Sequence, residues 1–121
     1  MIGDRDETDD TVVSETTPDG ITVVRVHGDL DDGTTPALTR ALTAAAADSG
    51  CSRTVVDLSP VGFADSSALH ALLAAHRAHT ATGTTLVLAG PVQTGVSRLF
   101  EVTGTGPVFR WADSVRQGMT C

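Results

Sequence analysis

The sequence contains no lysine, and its eight basic residues are arginines scattered singly along 121 positions. Fifteen acidic residues outnumber them and give a formal net charge of -7. A nucleic-acid-binding protein needs clustered positive charge to displace counterions from phosphates, and an anionic membrane surface makes the same demand. The charge distribution therefore argues against both and favours a soluble protein with basic protein partners.

Aromatic residues and cysteines are also scarce: there are one Trp, three Phe, no Tyr and two Cys. A core must therefore be built from Val, Leu, Ile and Ala, which suits helices packed on a sheet better than an aromatic-rich barrel. The spacing of Cys51 and Cys121 suggests no metal site, and we expect both thiols to be reduced.

No apolar run is long enough to span a bilayer, and the first residues lack the order of a signal peptide. We therefore expect a cytoplasmic protein. The length suits one domain. Residues 1–10 are polar and acidic and are predicted to be a disordered N-terminal segment, which leaves residues 11–121 as a single domain.

The apolar pattern predicts an initial hairpin followed by helices that alternate with strands. The turn signal Pro18-Asp19-Gly20 separates the first two strands. The predicted strands are 11–14, 21–26, 53–58, 85–88 and 108–110, and the predicted helices run from about 35 to 48, 66 to 80, 93 to 103 and 112 to 117. This order predicts an α/β fold with a mixed, mostly parallel sheet of about five strands and about four helices.

The most informative segment is a buried strand, a loop and a pair of hydroxyl groups at a helix N-terminus. The unpaired N–H groups and partial positive charge of a helix N-terminus suit a phosphate, and Ser66 can supply the exposed hydroxyl that a kinase needs there. The alternative is that Asp65, Ser66 and Ser67 only cap the helix, which is the far commoner use of such residues.

This segment resembles the signature of the STAS family, in particular of its anti-sigma factor antagonists. The family pattern is a strand ending Asp-Leu-Ser, a short loop, then Phe, an apolar residue and Asp-Ser-Ser-Gly-Leu. In this chain it reads Asp57-Leu58-Ser59 and Phe63-Ala64-Asp65-Ser66-Ser67-Ala68-Leu69. Two further family motifs are resembled by Gly28-Asp29-Leu30-Asp31 and Val96-Ser97-Arg98-Leu99-Phe100-Glu101-Val102-Thr103-Gly104. The resemblance runs from about residue 12 to 116.

The resemblance implies a STAS-like fold and a binding module, not an enzyme, that needs no cofactor. Its partners would be a serine kinase that is also the anti-sigma factor and a serine phosphatase that acts on the phosphorylated form. The unphosphorylated antagonist binds the kinase and releases a sigma factor, which regulates transcription. The chain is expected to be a monomer or weak homodimer.

Carried over by position, the resemblance makes Ser66 the phosphoacceptor and predicts a partner-binding set: Asp31, Asp65, Ser67, Leu69 and His70. For Asp31, a turn aspartate that bonds to its own backbone is an equal alternative. Ala68 stands where the family has Gly, and its added methyl group is expected to influence which kinase fits. His70 replaces a small residue and is expected to face the partner.

Two rival functions have weaker support. Four histidines suggest a zinc site, and His76 and His79 are three apart, but no Cys or carboxylate cluster accompanies them. We expect His76 at the edge of the core and the others in solvent. A Ser-His hydrolase lacks a nucleophile elbow and an orienting residue. Within the family, the alternative is a STAS scaffold or regulatory subunit of a stress-signalling or lipid-transport complex.

Overall fold

The structure is a computed structural model and describes residues 12–120. The predicted disordered segment, residues 1–10, lies outside the described residues, as does Cys121. The strands are Val12–Thr16 (β1), Ile21–Val26 (β2), Arg53–Asp57 (β3), Thr85–Ala89 (β4) and Arg110–Ala112 (β5). The helices are Thr35–Ala47 (α1), Ser66–Ala81 (α2), Thr94–Thr103 (α3) and Val115–Thr120 (α4).

The five strands form one sheet in the order β1-β2-β3-β4-β5. β1 is antiparallel to β2 and lies at one edge, and each later strand is parallel to its neighbour. The predicted mixed, mostly parallel α/β sheet is therefore confirmed. Parallel strands have their carboxyl ends on the same side of a sheet. The loops that follow β2, β3 and β4 therefore all lie at the same end of the strands.

The two faces of the sheet have separate apolar cores. Successive residues of a strand point to opposite faces, so Val56 lies in the larger core and Val55 in the smaller one. The larger core contains buried residues of α1, α2 and α3. The smaller one lies beneath α4, where a Cβ added to Gly118 would come within 3.0 Å of Val55 and 3.3 Å of Val87. The close packing of α4 on the sheet therefore depends on Gly118.

The last strand and helix begin later than predicted. The predicted strand 108–110 overlaps a 3₁₀ helix at Gly106–Val108, and β5 starts only at Arg110, which pairs with Val87. The predicted helix 112–117 begins at Val115 because Ala112 is still paired with Ala89 in the sheet. The start of β5 is set by its pairing with β4, which local residue propensities do not indicate.

His79 was predicted to lie in solvent, and this is wrong, because the residue is fully buried. Its Nδ1 donates to the carbonyl oxygen of Ala75 at 2.7 Å, and its Nε2 lies 2.8 Å from the hydroxyl of Thr54 on β3. A ring with both nitrogens paired is tolerated in the core. His76 is half-buried, with its ring edge against Phe109 (5.7 Å between ring centroids), as predicted for the core edge.

Candidate functional site

The loops that follow β2 and β3 are tied together by a short stretch of backbone pairing. The Leu30 amide donates to the carbonyl of Phe63 at 2.8 Å, and the Asp65 amide donates to the carbonyl of Leu30 at 3.1 Å. Leu30 and Ala64 form a parallel bridge between the two loops. This bridge brings the loop that contains Asp31 alongside the N-terminus of α2.

Asp65 is the residue that caps α2. Its backbone is extended, and its carboxylate accepts hydrogen bonds from the Ala68 amide (3.2 Å) and from the Ser67 hydroxyl. The Ser67 hydrogen bond is the main reason that the pKa of Asp65 lies below its usual value, and the Ala68 amide adds to the effect. The helix N-terminus is therefore flanked by a carboxylate that stays ionised.

The two neighbouring hydroxyls of α2 have different environments. Ser67 is half-buried, and its hydroxyl donates to Asp65 and lies 3.3 Å from the hydroxyl of Thr35. Ser66, the first residue of the helix, is exposed. A partner can therefore reach the Ser66 hydroxyl, while the Ser67 hydroxyl is committed to capping interactions.

Asp31 is exposed and folds back onto its own loop. Its Oδ1 accepts hydrogen bonds from the amides of Gly33 (2.9 Å) and Thr34 (3.2 Å), and its carbonyl accepts from Thr35 (2.9 Å). Thr34 is the N-cap residue of α1, but its side chain makes no capping bond. Asp31 thus organises the entry into α1. Its exposure is compatible with a second role toward a partner.

Three other residues singled out in the sequence divide between surface and core. His70 is exposed on α2 one turn after Ser66, so the two side chains lie on the same helix face. Leu69 is 5% exposed and packs in the larger core, beneath the site. Ala68 is fully buried, so its methyl group packs in the larger core, and its expected influence on kinase choice stays a prediction.

The segment 58–65, which we name the acceptor loop, is also supported by the start of α3. The Gln93 side chain donates to the carbonyl of Ser59 at 3.0 Å, and Ser59 in turn bonds to the carboxylate of Asp57. A Cβ on Gly95 would lie only 2.8 Å from the carbonyl oxygen of Gly62. Neither helical spacing nor composition marks this close approach in the sequence.

Phe63 is a second feature that the sequence reasoning missed. Its side chain is 51% exposed, although Val61 and Ala64 in the same loop are buried. The signal available in the sequence was a large aromatic residue in a loop three residues before Ser66. A large exposed apolar side chain therefore precedes the exposed hydroxyl of Ser66 by three residues.

The STAS-domain family model matches residues 13–118. The chain also shares 34% sequence identity with the crystal structure of an anti-sigma factor antagonist from Mycobacterium paratuberculosis, over 91% of each chain and with a TM-score of 0.74. The protein belongs to the STAS family of anti-sigma factor antagonists. No curated protein matches the chain.

The fold of this STAS domain is also that of SpoIIAA, an anti-sigma factor antagonist solved in two forms at 18% identity. The unphosphorylated form has a TM-score of 0.77, covering 89% of this chain and 92% of its own. The phosphorylated Bacillus form has a TM-score of 0.71, covering 89% of this chain and 96% of its own. At this identity the likeness concerns the fold.

Members of this STAS family are regulatory modules that act by binding. Within residues 12–120, no group of three or more His, Cys, Asp or Glu side chains is arranged to hold a metal ion. No helix in this described part of the chain is long and apolar enough to cross a membrane.

Proposed function

We propose that this STAS domain is a phosphorylation-switched anti-sigma factor antagonist with Ser66 as its phosphoacceptor. In the unphosphorylated form it binds a serine kinase that is also the anti-sigma factor, and the sigma factor is released. The phosphorylated form leaves the kinase, and a serine phosphatase restores the original state. A single domain over residues 11–121 carries this switch in the cytoplasm, without catalysis of its own.

The observation that carries this proposal is the contrast between the two hydroxyls of α2. The Ser66 hydroxyl is exposed, whereas the Ser67 hydroxyl donates to Asp65. In the kinase reaction, Ser66 Oγ attacks the γ-phosphorus of ATP and loses its proton. The bond between that phosphorus and the bridging oxygen breaks, and ADP leaves. The STAS domain is the substrate, and it needs only to present the oxygen.

The environment of Ser66 supports release by a local effect. A phosphate adds about -1.5 to -2 charges and three acceptor oxygens. The N-terminus of α2 favours this charge, and the first turn of the helix contains no acidic residue. Two features disfavour the phosphate charge in the complex. One is the neighbouring Asp65 carboxylate, and the other is a kinase surface that fits the uncharged hydroxyl. Repulsion and desolvation at the interface therefore release the kinase without refolding of the domain.

The other residues predicted to contact a partner differ in how exposed they are. Asp31 and His70 are exposed beside the site, and Asp65 and Ser67 are half-buried at the helix start. We propose that these four face the kinase, with the acidic residues toward a basic patch. Leu69 lies beneath them in the core and acts by holding the first turn of α2 in place.

The test begins with a pull-down of the unphosphorylated protein from its own cytoplasm, which identifies the co-purifying kinase. The purified kinase and ATP should add one phosphate to the wild-type chain, and peptide mapping should locate it at Ser66. Ser66→Ala should abolish labelling and still bind the kinase, whereas Ser67→Ala should be labelled. If labelling persists in Ser66→Ala and is lost in Ser67→Ala, the acceptor assignment is wrong. Binding without any labelling would instead favour a STAS scaffold.

A further inference from the structure

The exposed Phe63 side chain is a consequence of the surrounding fold. Val61 is fully buried and Ala64 is 7% exposed, so the acceptor loop directs its other apolar side chains inward. Beneath the loop the core is filled, because Ala68 and Leu69 are buried there. Phe63 is the exception, with 51% of its surface exposed.

Backbone contacts on both sides hold the acceptor loop in place at Phe63. On one side, the Phe63 carbonyl accepts a hydrogen bond from the Leu30 amide at 2.8 Å. The Asp65 amide in turn donates to the carbonyl of Leu30. On the other side, Gly95 packs against the carbonyl of Gly62. These contacts fix the backbone of the acceptor loop, so the Phe63 side chain leaves the backbone from a fixed position. A partner that buries the ring therefore does not have to order the loop first, which lowers the entropic cost of binding.

The surface around Phe63 is acidic. Asp29, Asp31 and Asp32 are exposed on the neighbouring loop, and Asp65 follows two residues later. The Asp29 carboxylate lies 3.4 Å from the position of a Cβ on Gly62, next to Phe63. An apolar ring surrounded by acidic groups is complementary to an apolar pocket with basic groups at its rim.

We infer that Phe63 is the apolar anchor that inserts into a basic-rimmed pocket on the serine kinase beside its phosphotransfer site. The inference rests on the proposed function, because the kinase is the partner that must approach Ser66, three residues away. Anchoring the ring would place the Ser66 hydroxyl at the transferred phosphoryl group. Phe63 is thus a binding and positioning residue and takes no part in the chemistry.

Other exposed apolar side chains offer a comparison. Trp111 is 37% exposed, but it packs on Phe100 (4.9 Å between ring centroids) and donates to the carbonyl of Gly106, so the fold itself accounts for it. Val102 is 74% exposed on α3. It lies two turns beyond Gly95, about 10 Å further along the helix from the acceptor loop. Val102 is therefore a matched control for loss of an exposed apolar group away from the site.

The experiment measures kinase affinity and steady-state phosphorylation for the wild type, Phe63→Ala, Phe63→Leu and Val102→Ala. The probe is the purified kinase that the unphosphorylated protein pulls down. We expect Phe63→Ala to raise Kd and KM at least about tenfold, the loss typical of a hot-spot residue. The kcat should change by less than about threefold, because a positioning anchor contributes mainly to binding. The Kd and KM of Phe63→Leu should lie between those of the wild type and Phe63→Ala, and those of Val102→Ala should match the wild type.

The outcomes separate the anchor from the function on which it rests. If the wild type is labelled at Ser66 and Phe63→Ala has unchanged Kd and KM, Phe63 is not an anchor and the proposed function stands. Equal losses of kinase affinity in Phe63→Ala and Val102→Ala also overturn the anchoring role of Phe63. If the wild type is not labelled at Ser66, the proposed function itself has failed, and the anchor fails with it. If circular dichroism shows that Phe63→Ala is unfolded, the kinase affinity of Phe63→Leu becomes the test. A Phe63→Leu variant that binds the kinase as tightly as the wild type then overturns the inference.

Discussion

The backbone of Gly95, in the first turn of α3, packs directly against the carbonyl oxygen of Gly62 in the acceptor loop. No side chain fits between them, since a Cβ on Gly95 would approach that oxygen to 2.8 Å. Two segments 33 residues apart in sequence thereby fix one another, and the loop that presents Phe63 and Ser66 takes its position from α3.

Gly95→Ala tests this contact. Alanine favours a helix by up to about 1 kcal/mol over glycine, but the added methyl group forces the loop or the helix to move. Such overpacking typically costs about 1–3 kcal/mol. We therefore expect a net loss of stability in urea unfolding and a higher KM for phosphorylation of Ser66. The control is Thr94→Ala, at the exposed preceding position. A Gly95→Ala variant that is more stable and normally phosphorylated would show that the contact does not position the loop.

Ser67→Ala should separate capping from phosphorylation. The variant removes the hydroxyl that donates to Asp65 but leaves the Ala68 amide bound to the same carboxylate. We expect Ser66 still to be phosphorylated while the domain becomes less stable. Because the Ser67 hydrogen bond lowers the pKa of Asp65, this contribution exists above the ordinary pKa of aspartate and disappears as pH falls through the lower, folded-state value. The stability difference should therefore be largest at neutral pH and shrink below about pH 4.

His79 should make the domain less stable in mild acid. Burial is the main reason that the pKa of His79 lies below its ordinary value, and the nearby His76 adds to the lowering. The unfolded chain therefore takes up a proton at a pH where the folded chain does not. Stability should decline as pH falls from about 6.5 toward the lower folded-state value. Urea unfolding at several pH values measures this.

The variant His79→Gln should flatten this pH dependence, while His70→Gln, at an exposed position of the same helix, should keep it. His79→Gln should also be destabilised by roughly 1–3 kcal/mol if the hydroxyl of Thr54 is left unpaired. An unchanged pH dependence in His79→Gln would mean that another group causes it.

Asp31→Asn distinguishes the two roles of Asp31. Asparagine keeps an oxygen that can accept the amides of Gly33 and Thr34, but it removes the charge. If Asp31 faces a basic patch on the kinase, the variant should fold normally and associate more slowly, and the difference should fade at high salt. Asp31→Ala should in addition lose stability because the turn loses its acceptor. Wild-type association of Asp31→Asn would restrict Asp31 to the turn.

Most of the fold was predictable because its elements carry local signals. The strand Ile21–Val26 is a run rich in β-branched residues after a Pro-Asp-Gly turn, and its bounds were predicted correctly. The capping Asp65 and the positive φ of Gly83 likewise mark the two ends of α2. Where propensity, pattern and turn chemistry agree, the sequence alone locates an element.

The features that escaped prediction depend on contacts between distant residues. β5 has only three residues, and its start is decided by pairing with β4. His79 is buried because Thr54, 25 positions away, provides a partner for its ring. At the site, the resemblance singled out Ser66 as the proposed acceptor, but the path of the loop that presents Phe63 depends on contacts with Leu30 and Gly95. None of these partners is marked by spacing or composition.

The packing of α4 through Gly118 has a consequence for how the chain folds. The five strands and the other three helices all precede α4 along the chain, and domains generally fold from the N-terminal side during synthesis. Without α4, Val55, Val87 and Ala89 would form an uncovered apolar patch on the face of the sheet opposite α1, α2 and α3. The docking of α4 therefore closes a surface that would otherwise favour unwanted association.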